Sequence, residues 1–100
     1  MKFDLQPRNT IKAFAEQHDL TIIIRERPEF LWNNGRFTAS FEGADEKGDG
    51  VLIGTYGNGN SHEEAIRDYA KKISSKTLVF GAYTPDRKEI RVPIIEPEAE

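Results

Sequence analysis

Two short stretches hold residue types whose spacing could support chemistry. The first is Gly57-Asn58-Gly59-Asn60-Ser61-His62-Glu63-Glu64. Glycines ahead of a helix start suit an anion, because the first backbone N–H groups of a helix lack partners and its dipole is positive there. A phosphate loop would need Lys-Ser or Lys-Thr opening the helix, and a dinucleotide fold a third glycine. This chain has His62-Glu63 instead, and Glu63 and Glu64 would repel a phosphate. The same carboxylates suit a capping box, with Ser61 accepting from the Glu64 N–H and Glu64 reaching back to the Ser61 N–H. The second stretch, Asp45-Glu46-Lys47-Gly48-Asp49-Gly50, has the look of a calcium loop. It places Lys47 where the third ligand oxygen is needed and Tyr56 where the bidentate glutamate is needed, so it is read as a charged turn.

Other chemistry fares no better. The chain has two histidines and no cysteine, so a zinc site would rest almost wholly on carboxylates. Thiol and disulfide chemistry are excluded. Ser61 beside His62 is not a nucleophile–base pair, because neighbours at a helix start point apart. No pair of carboxylates is spaced to separate an acid from a base. The expectation is a protein that is not an enzyme, with no catalytic residue, no cofactor and no metal. His18, at the end of the first helix, reads as a partly buried helix terminus rather than a ligand.

The elements that would position these residues can be placed from periodicity. Asn9 or Thr10 caps a helix reaching about Asp19, with Ile11, Phe14, Ala15 and His18 on one face. Leu20–Arg27 is a strand rich in β-branched residues, stopped by Pro28. Phe37, Ala39 and Phe41 alternate with Thr38 and Ser40 and face a core. Val51–Tyr56 forms the third strand, followed by a glycine-punctuated loop and a helix through Ile73. That helix carries Ala65, Ile66, Tyr69, Ala70 and Ile73 as its apolar stripe, with Lys71 and Lys72 favourable at its negative end. Thr77–Ala82, a turn at Thr84-Pro85-Asp86-Arg87, and Glu89–Ile95 make a closing hairpin, with Pro93 marking an edge. Phe3 and Leu5 alternate with polar residues and can add a short edge strand ahead of Pro7. The predicted core is Ile11, Phe14, Ile22, Ile24, Phe37, Phe41, Ile53, Ala65, Ile66, Tyr69 and Ile73.

The expected fold class is α+β with two layers: an antiparallel three-stranded sheet, two helices on one face, and a C-terminal β-hairpin. One hundred residues suit a single domain over 1–95, with an acidic tail at 96–100 expected to be flexible. Six Phe, three Tyr and one Trp argue against wholesale disorder. The longest apolar runs, Ile22–Ile24 and Leu78–Phe80, are far too short to span a bilayer, and the N-terminus has no apolar signal core, so a cytoplasmic, non-membrane protein is expected. The net charge is −3, from 14 basic and 17 acidic residues mixed along the chain, and gives no domain-wide footprint for nucleic acid.

Three resemblances add to this reading. The order helix, three antiparallel strands, helix, together with Gly57-Asn58-Gly59-Asn60-Ser61 leading into Glu64-Ala65 and Ala70, resembles the double-stranded RNA-binding domain over about residues 9–75. That family places lysines at the start of its second helix, where this chain has His62, Glu63 and Glu64. Its Gly-Pro-x-His element is replaced by Arg27-Pro28-Glu29-Phe30-Leu31-Trp32. The resemblance thus implies the fold without the RNA-contacting residues. Phe37–Phe41 with Gly59-Asn60-Ser61 and Glu63-Glu64-Ala65-Ile66 is similar to the HicB antitoxin family, which implies a small basic toxin as partner. Glu64–Ala70, Lys76-Thr77-Leu78-Val79 and Glu89–Pro93 look like segments of small bacteriophage and prophage proteins with a layered helix–sheet–helix domain, implying a host cytoplasm.

The leading expectation is a non-catalytic, phage- or prophage-type binding module acting through a protein partner, as a monomer or weak homodimer. Its candidate contacts are Phe30, Leu31 and Trp32 in a loop, with Ile23, Leu52 and Tyr56 on the helix-free face of the sheet. The alternatives are a nucleic-acid binder using Arg36, Arg87, Lys88 and Arg91, and a HicB-like antitoxin.

Overall fold

Thr10 starts the described chain by capping a helix: its hydroxyl accepts from the Ala13 N–H at 3.1 Å. The structure is a computed structural model describing residues 10–96. The helix, α1 (Ile11–His18), buries Ile11, Phe14 and Ala15 and stops at Asp19, whose left-handed φ of 56° ends the spiral. β1 (Ile22–Glu26) follows, then a 3-10 helix, η1 (Glu29–Asn34), opened by Pro28 and closed by Gly35 at φ 104°. Next come β2 (Phe37–Phe41), β3 (Ala44–Lys47), β4 (Leu52–Ile53) and β5 (Gly57–Gly59). α2 (His62–Ile73), β6 (Thr77–Phe80) and β7 (Lys88–Arg91) complete the order.

These strands form two sheets, not one. A three-stranded antiparallel sheet has the order β1-β2-β5, and a four-stranded antiparallel sheet the order β4-β3-β6-β7. The expected single three-stranded sheet with two helices, like that of the double-stranded RNA-binding domain, is therefore overturned: the described residues form seven strands in two sheets and a third, 3-10 helix. The same topology corrects the layered helix–sheet–helix domain implied by the phage-protein resemblance. The physical cause is a pair of breaks. Gly43 at φ 75° turns the chain just after Phe41, so β2 and β3 serve different sheets. On the neighbouring run Gly54-Thr55-Tyr56 interrupts what reads as one strand, leaving β4 in one sheet and β5 in the other. The β6–β7 hairpin adds onto β3, with Ala44 opposite Phe80 and Glu46 opposite Leu78.

One buried cluster bridges both sheets. Phe14 of α1 and Tyr69 of α2 both meet Phe41, at ring-centroid distances of 6.1 and 5.5 Å. Ile11, Ala39, Ala65 and Ile73 complete this part of the core. Ile22, Ile24, Phe37 and Ile66 are half-buried against it. Leu78, Phe80, Val92 and Ile95 extend the cluster into the second sheet. Val92 and Ile95, read from sequence as strand, instead lie in a strap beyond β7. The Val92 N–H donates to Lys76 O at 2.8 Å, and the Ile95 N–H to Ser74 Oγ at 2.9 Å.

Ile53, expected in the core, is 47% exposed. It pairs with Glu46 on the two-residue edge strand β4, and Leu52 takes the more inward position. Alternation along a strand makes this a one-residue matter, and the break at Gly54 resets the phase. The possible edge strand at Phe3 and Leu5 and most of the acidic tail lie outside the described residues.

Candidate functional site

The Gly57-Asn58-Gly59 stretch is strand β5, with no phosphate cradle. Gly57 lies opposite Ala39 and Gly59 opposite Phe37, on the face that receives α2. A Cβ built on Gly57 would stand 2.2 Å from Ala65 O and 2.3 Å from Tyr69 N; one on Gly59 would stand 2.4 Å from Ala65 N. The glycines let the helix backbone rest on the strand backbone. α2 also closes the outer edge of β5. Asn58 N–H donates to Asp68 Oδ2 at 2.8 Å, Asn60 N–H to Glu64 Oε1 at 3.0 Å, and Lys72 Nζ to Tyr56 O at 3.1 Å. Ser61 caps as expected, accepting from Glu64 N–H at 3.1 Å, while Glu64 reaches Asn60 rather than Ser61. Burial pushes the Asp68 carboxyl up, but the Asn58 hydrogen bond and the Lys72 and Lys71 ammonium groups outweigh it and hold the group below the usual carboxylate range. Tyr69 goes the other way: burial raises its phenol, against the lowering effect of a hydrogen bond with the Phe41 backbone.

The other notable assembly is organised by Arg27, just past β1. Its Nη1 donates to Asn34 O and Gly35 O, both at 2.8 Å, and its Nη2 donates to Asn58 Oδ1. The Arg27 carbonyl accepts from the Trp32 indole N–H at 2.7 Å, and its N–H donates to Arg36 O at 2.7 Å. One residue thus fastens the end of η1 to β5 and the middle of η1 to β1. A guanidinium is suited to this, since its planar donors can serve several carbonyls at once. Arg36 lies over the Trp32 ring at 4.3 Å and over Phe37 at 5.2 Å, and pairs with Glu26 at 2.6 Å. His62 meets Phe37 edge-on at 4.7 Å. The Arg27 guanidinium stands 5.8 Å from the Tyr56 ring centroid.

This frame presents apolar side chains outward. Phe30 is 79% exposed, Leu31 38% and Tyr56 48%, whereas Trp32 is half-buried as the inner post of the turn. Of the six candidate contact residues, Trp32 and Tyr56 meet Arg27, while Phe30 and Leu31 lie on the η1 turn that Arg27 fastens. Ile23 lies on the helix-free face of the same sheet, paired with Ser40. Leu52 sits in β4 of the other sheet, so it does not share that face with Ile23. The four candidate nucleic-acid residues are divided. Arg36 borders β2, while Arg87, Lys88 and Arg91 lie at or in β7, the outer strand of the other sheet. Arg36 is paired with Glu26, Arg87 with Glu89 at 2.9 Å, and Lys88 stands over Phe80 at 5.9 Å.

Sequence reasoning missed Arg27 and Asn58. The signal was present in part: an arginine closing a strand before Pro-x-x-x-Trp, with Asn-Gly following, needs something to hold so tight a reversal. Nothing along the chain, however, says that Asn58 arrives beside it. Among the described residues no group of three or more His, Asp or Glu is arranged to hold a metal ion, and no helix is long and apolar enough to cross a membrane. Compared with protein-family models, curated proteins and solved structures, the chain matches none.

Proposed function

We propose that this chain is a non-catalytic binding module that acts through a protein partner, with Phe30 as its anchor and Leu31 and Tyr56 beside it. The observation that carries this reading is the mounting of Phe30. A phenylalanine left 79% exposed is a cost in a molecule that buries Phe14 and Phe41 almost completely. Here it stands on a turn that Arg27 holds at its end, through Asn34 and Gly35, and at its middle, through the Trp32 indole. A turn whose backbone is already held loses little backbone freedom on binding, so burying the exposed ring, worth about 1.5–3 kcal/mol in transfer free energy, contributes to affinity. The polar surroundings at Glu29, Asn33 and Asn34 form the rim that such an anchor needs.

The test is site-specific photocrosslinking in cells of the source organism. A photoreactive phenylalanine analogue at position 30 is compared with the same analogue at Tyr83, which is 92% exposed on the β6–β7 turn. A discrete protein adduct from position 30, absent from position 83 and lost when Tyr56→Ala is added, is the expected result. Adducts that are equal at the two positions, or none at position 30, would remove the assignment.

A further inference from the structure

The four outer strands of the two sheets are not protected alike. An edge strand offers unpaired N–H and C=O groups to any other strand, and folded proteins blunt such edges with short strands, charges or covering elements. β4 has two residues. β7 reads Lys88-Glu89-Ile90-Arg91, three charges in four positions. β5 is covered by α2, whose Asp68, Glu64 and Lys72 take its outward backbone groups. β1 is less protected: it is five residues long, its two charges, Arg25 and Glu26, lie at its far end, and no strand among the described residues pairs with its outer side. It opens Ile22-Ile23-Ile24 and contains neither proline nor glycine.

The register fixes which of its groups face outward. Glu42 N–H donates to Thr21 O at 2.8 Å and Arg27 N–H to Arg36 O at 2.7 Å, so the odd-numbered residues of this segment bond to β2. The backbone groups of Ile22, Ile24 and Glu26 therefore point away from the sheet, and no strand among the described residues pairs with them. On the helix side this margin is also incompletely filled. Ile22 and Ile24 are half-buried, and a groove of about 370 Å³ lies between α1 and α2, lined by the apolar Ile11, Ala15, Leu20, Ile22 and Ile66 together with the charged Lys12, Glu16 and Asp19.

We infer that the β1 edge is a self-association site, at which β1 of a second copy of this chain pairs antiparallel about a two-fold axis at Ile24. The strand is complementary to itself in that arrangement. Ile24 lies opposite its own symmetry mate, and Ile22 opposite Glu26 of the second copy, so every outward-facing residue meets another and each pair exchanges both hydrogen bonds. On the helix-free face Ile23 lies opposite Arg25 of the second copy, so no two like charges stand directly opposed. The pairing joins two three-stranded sheets into one and draws Ile22 and Ile24 further from water. One five-residue edge is a small interface, so the dimer is weak, with a dissociation constant on the order of 100 μM. None of the Phe30 anchor is used, so the dimer and the partner site can fail independently.

Because the chain has no cysteine, the register can be read by crosslinking. Residues 23 and 25 face each other as a non-hydrogen-bonded pair, with Cα atoms about 4.5 Å apart, within disulfide reach. Full-length chains carrying Ile23→Cys are mixed with chains carrying Arg25→Cys at several hundred micromolar under mild oxidation. A mixed disulfide forming at least about tenfold faster than either homodisulfide is expected, because like positions lie on the wider diagonal. Absence of the mixed disulfide, or equal rates in all three combinations, overturns the inference. A second readout uses the unaltered protein. Amide exchange at Ile22, Ile24 and Glu26 is expected to slow as concentration rises, while exchange at Asn58 stays constant. Protection at those three positions that is already complete in a dilute monomer would mean that the edge is covered by the chain's own residues, and would equally overturn it.

Discussion

The two margins of the three-stranded sheet have been treated in opposite ways. At one margin α2 lies on β5 so closely that two glycines are required, and its side chains take the strand's spare backbone groups. At the other, no strand among the described residues pairs with the outer side of β1, which runs into η1, where three large apolar residues stand in sequence and none is buried. The first margin is closed by the chain's own helix; no strand among the described residues pairs with the second. The difference lies in where the polar backbone groups go. Satisfied internally, they make a closed surface. Left open beside exposed aromatic groups, they make a surface with capacity to bind.

The largest effect should come from breaking the closed margin. Gly57→Ala puts a methyl group into the α2 backbone at Ala65 and Tyr69, where no rotamer can give way. A loss of at least about 3 kcal/mol is expected, seen as a large fall in the urea midpoint or a failure to fold. Next is Arg27→Lys, which keeps the charge but cannot serve Asn34, Gly35 and Asn58 together. It should cost about 1–2 kcal/mol and release η1, which a rise in amide exchange from Leu31 to Gly35 would report.

Asp68→Asn sharpens the comparison through pH. The folded Asp68 carboxyl titrates below its ordinary value, so it adds stability above that value, and the gain is lost as pH falls through the lowered one. Wild type and Asp68→Asn should differ by about 1 kcal/mol at neutral pH, and their unfolding midpoints should converge in strong acid. The smallest structural effect is expected of Phe30→Ala. Its stability change should stay within about 0.5 kcal/mol, because there is little packing to lose. Its effect on partner capture should nonetheless be the largest of the four. A Phe30→Ala protein that unfolds several degrees earlier would show that the side chain is structural, and the two margins would then differ less than the geometry indicates.

The legible parts of the fold were those written locally. Thr10 and Ser61 announce the helix starts because a hydroxyl at a cap satisfies a donor only three residues away. The α2 stripe of Ala65, Tyr69 and Ile73 is buried as its spacing requires. The loop Phe30-Leu31-Trp32 stood out because large apolar residues seldom crowd a turn signal. Its inner organisation did not, because Trp32 is held by a carbonyl of another element and Arg27 by an asparagine 31 positions away. The site therefore mixes residues that composition exposes with residues that only a distant contact explains.

Sequence alone determined where α1 and α2 begin, which faces of α1, α2 and β2 are apolar, and that Glu63 and Glu64 put negative charge where a phosphate would sit. These follow from interactions within one or two turns of chain. Tertiary structure decided the rest. It made Gly57-Asn58-Gly59 a strand by laying a helix across it. It also divided the described strands between two sheets at Gly43 and at Gly54-Thr55-Tyr56, put Leu78, Phe80, Val92 and Ile95 into the core, and left Ile53 outside. A glycine permits a turn or a close approach equally well. Which of the two it makes depends on the element packed against it, and that is a property of the folded chain.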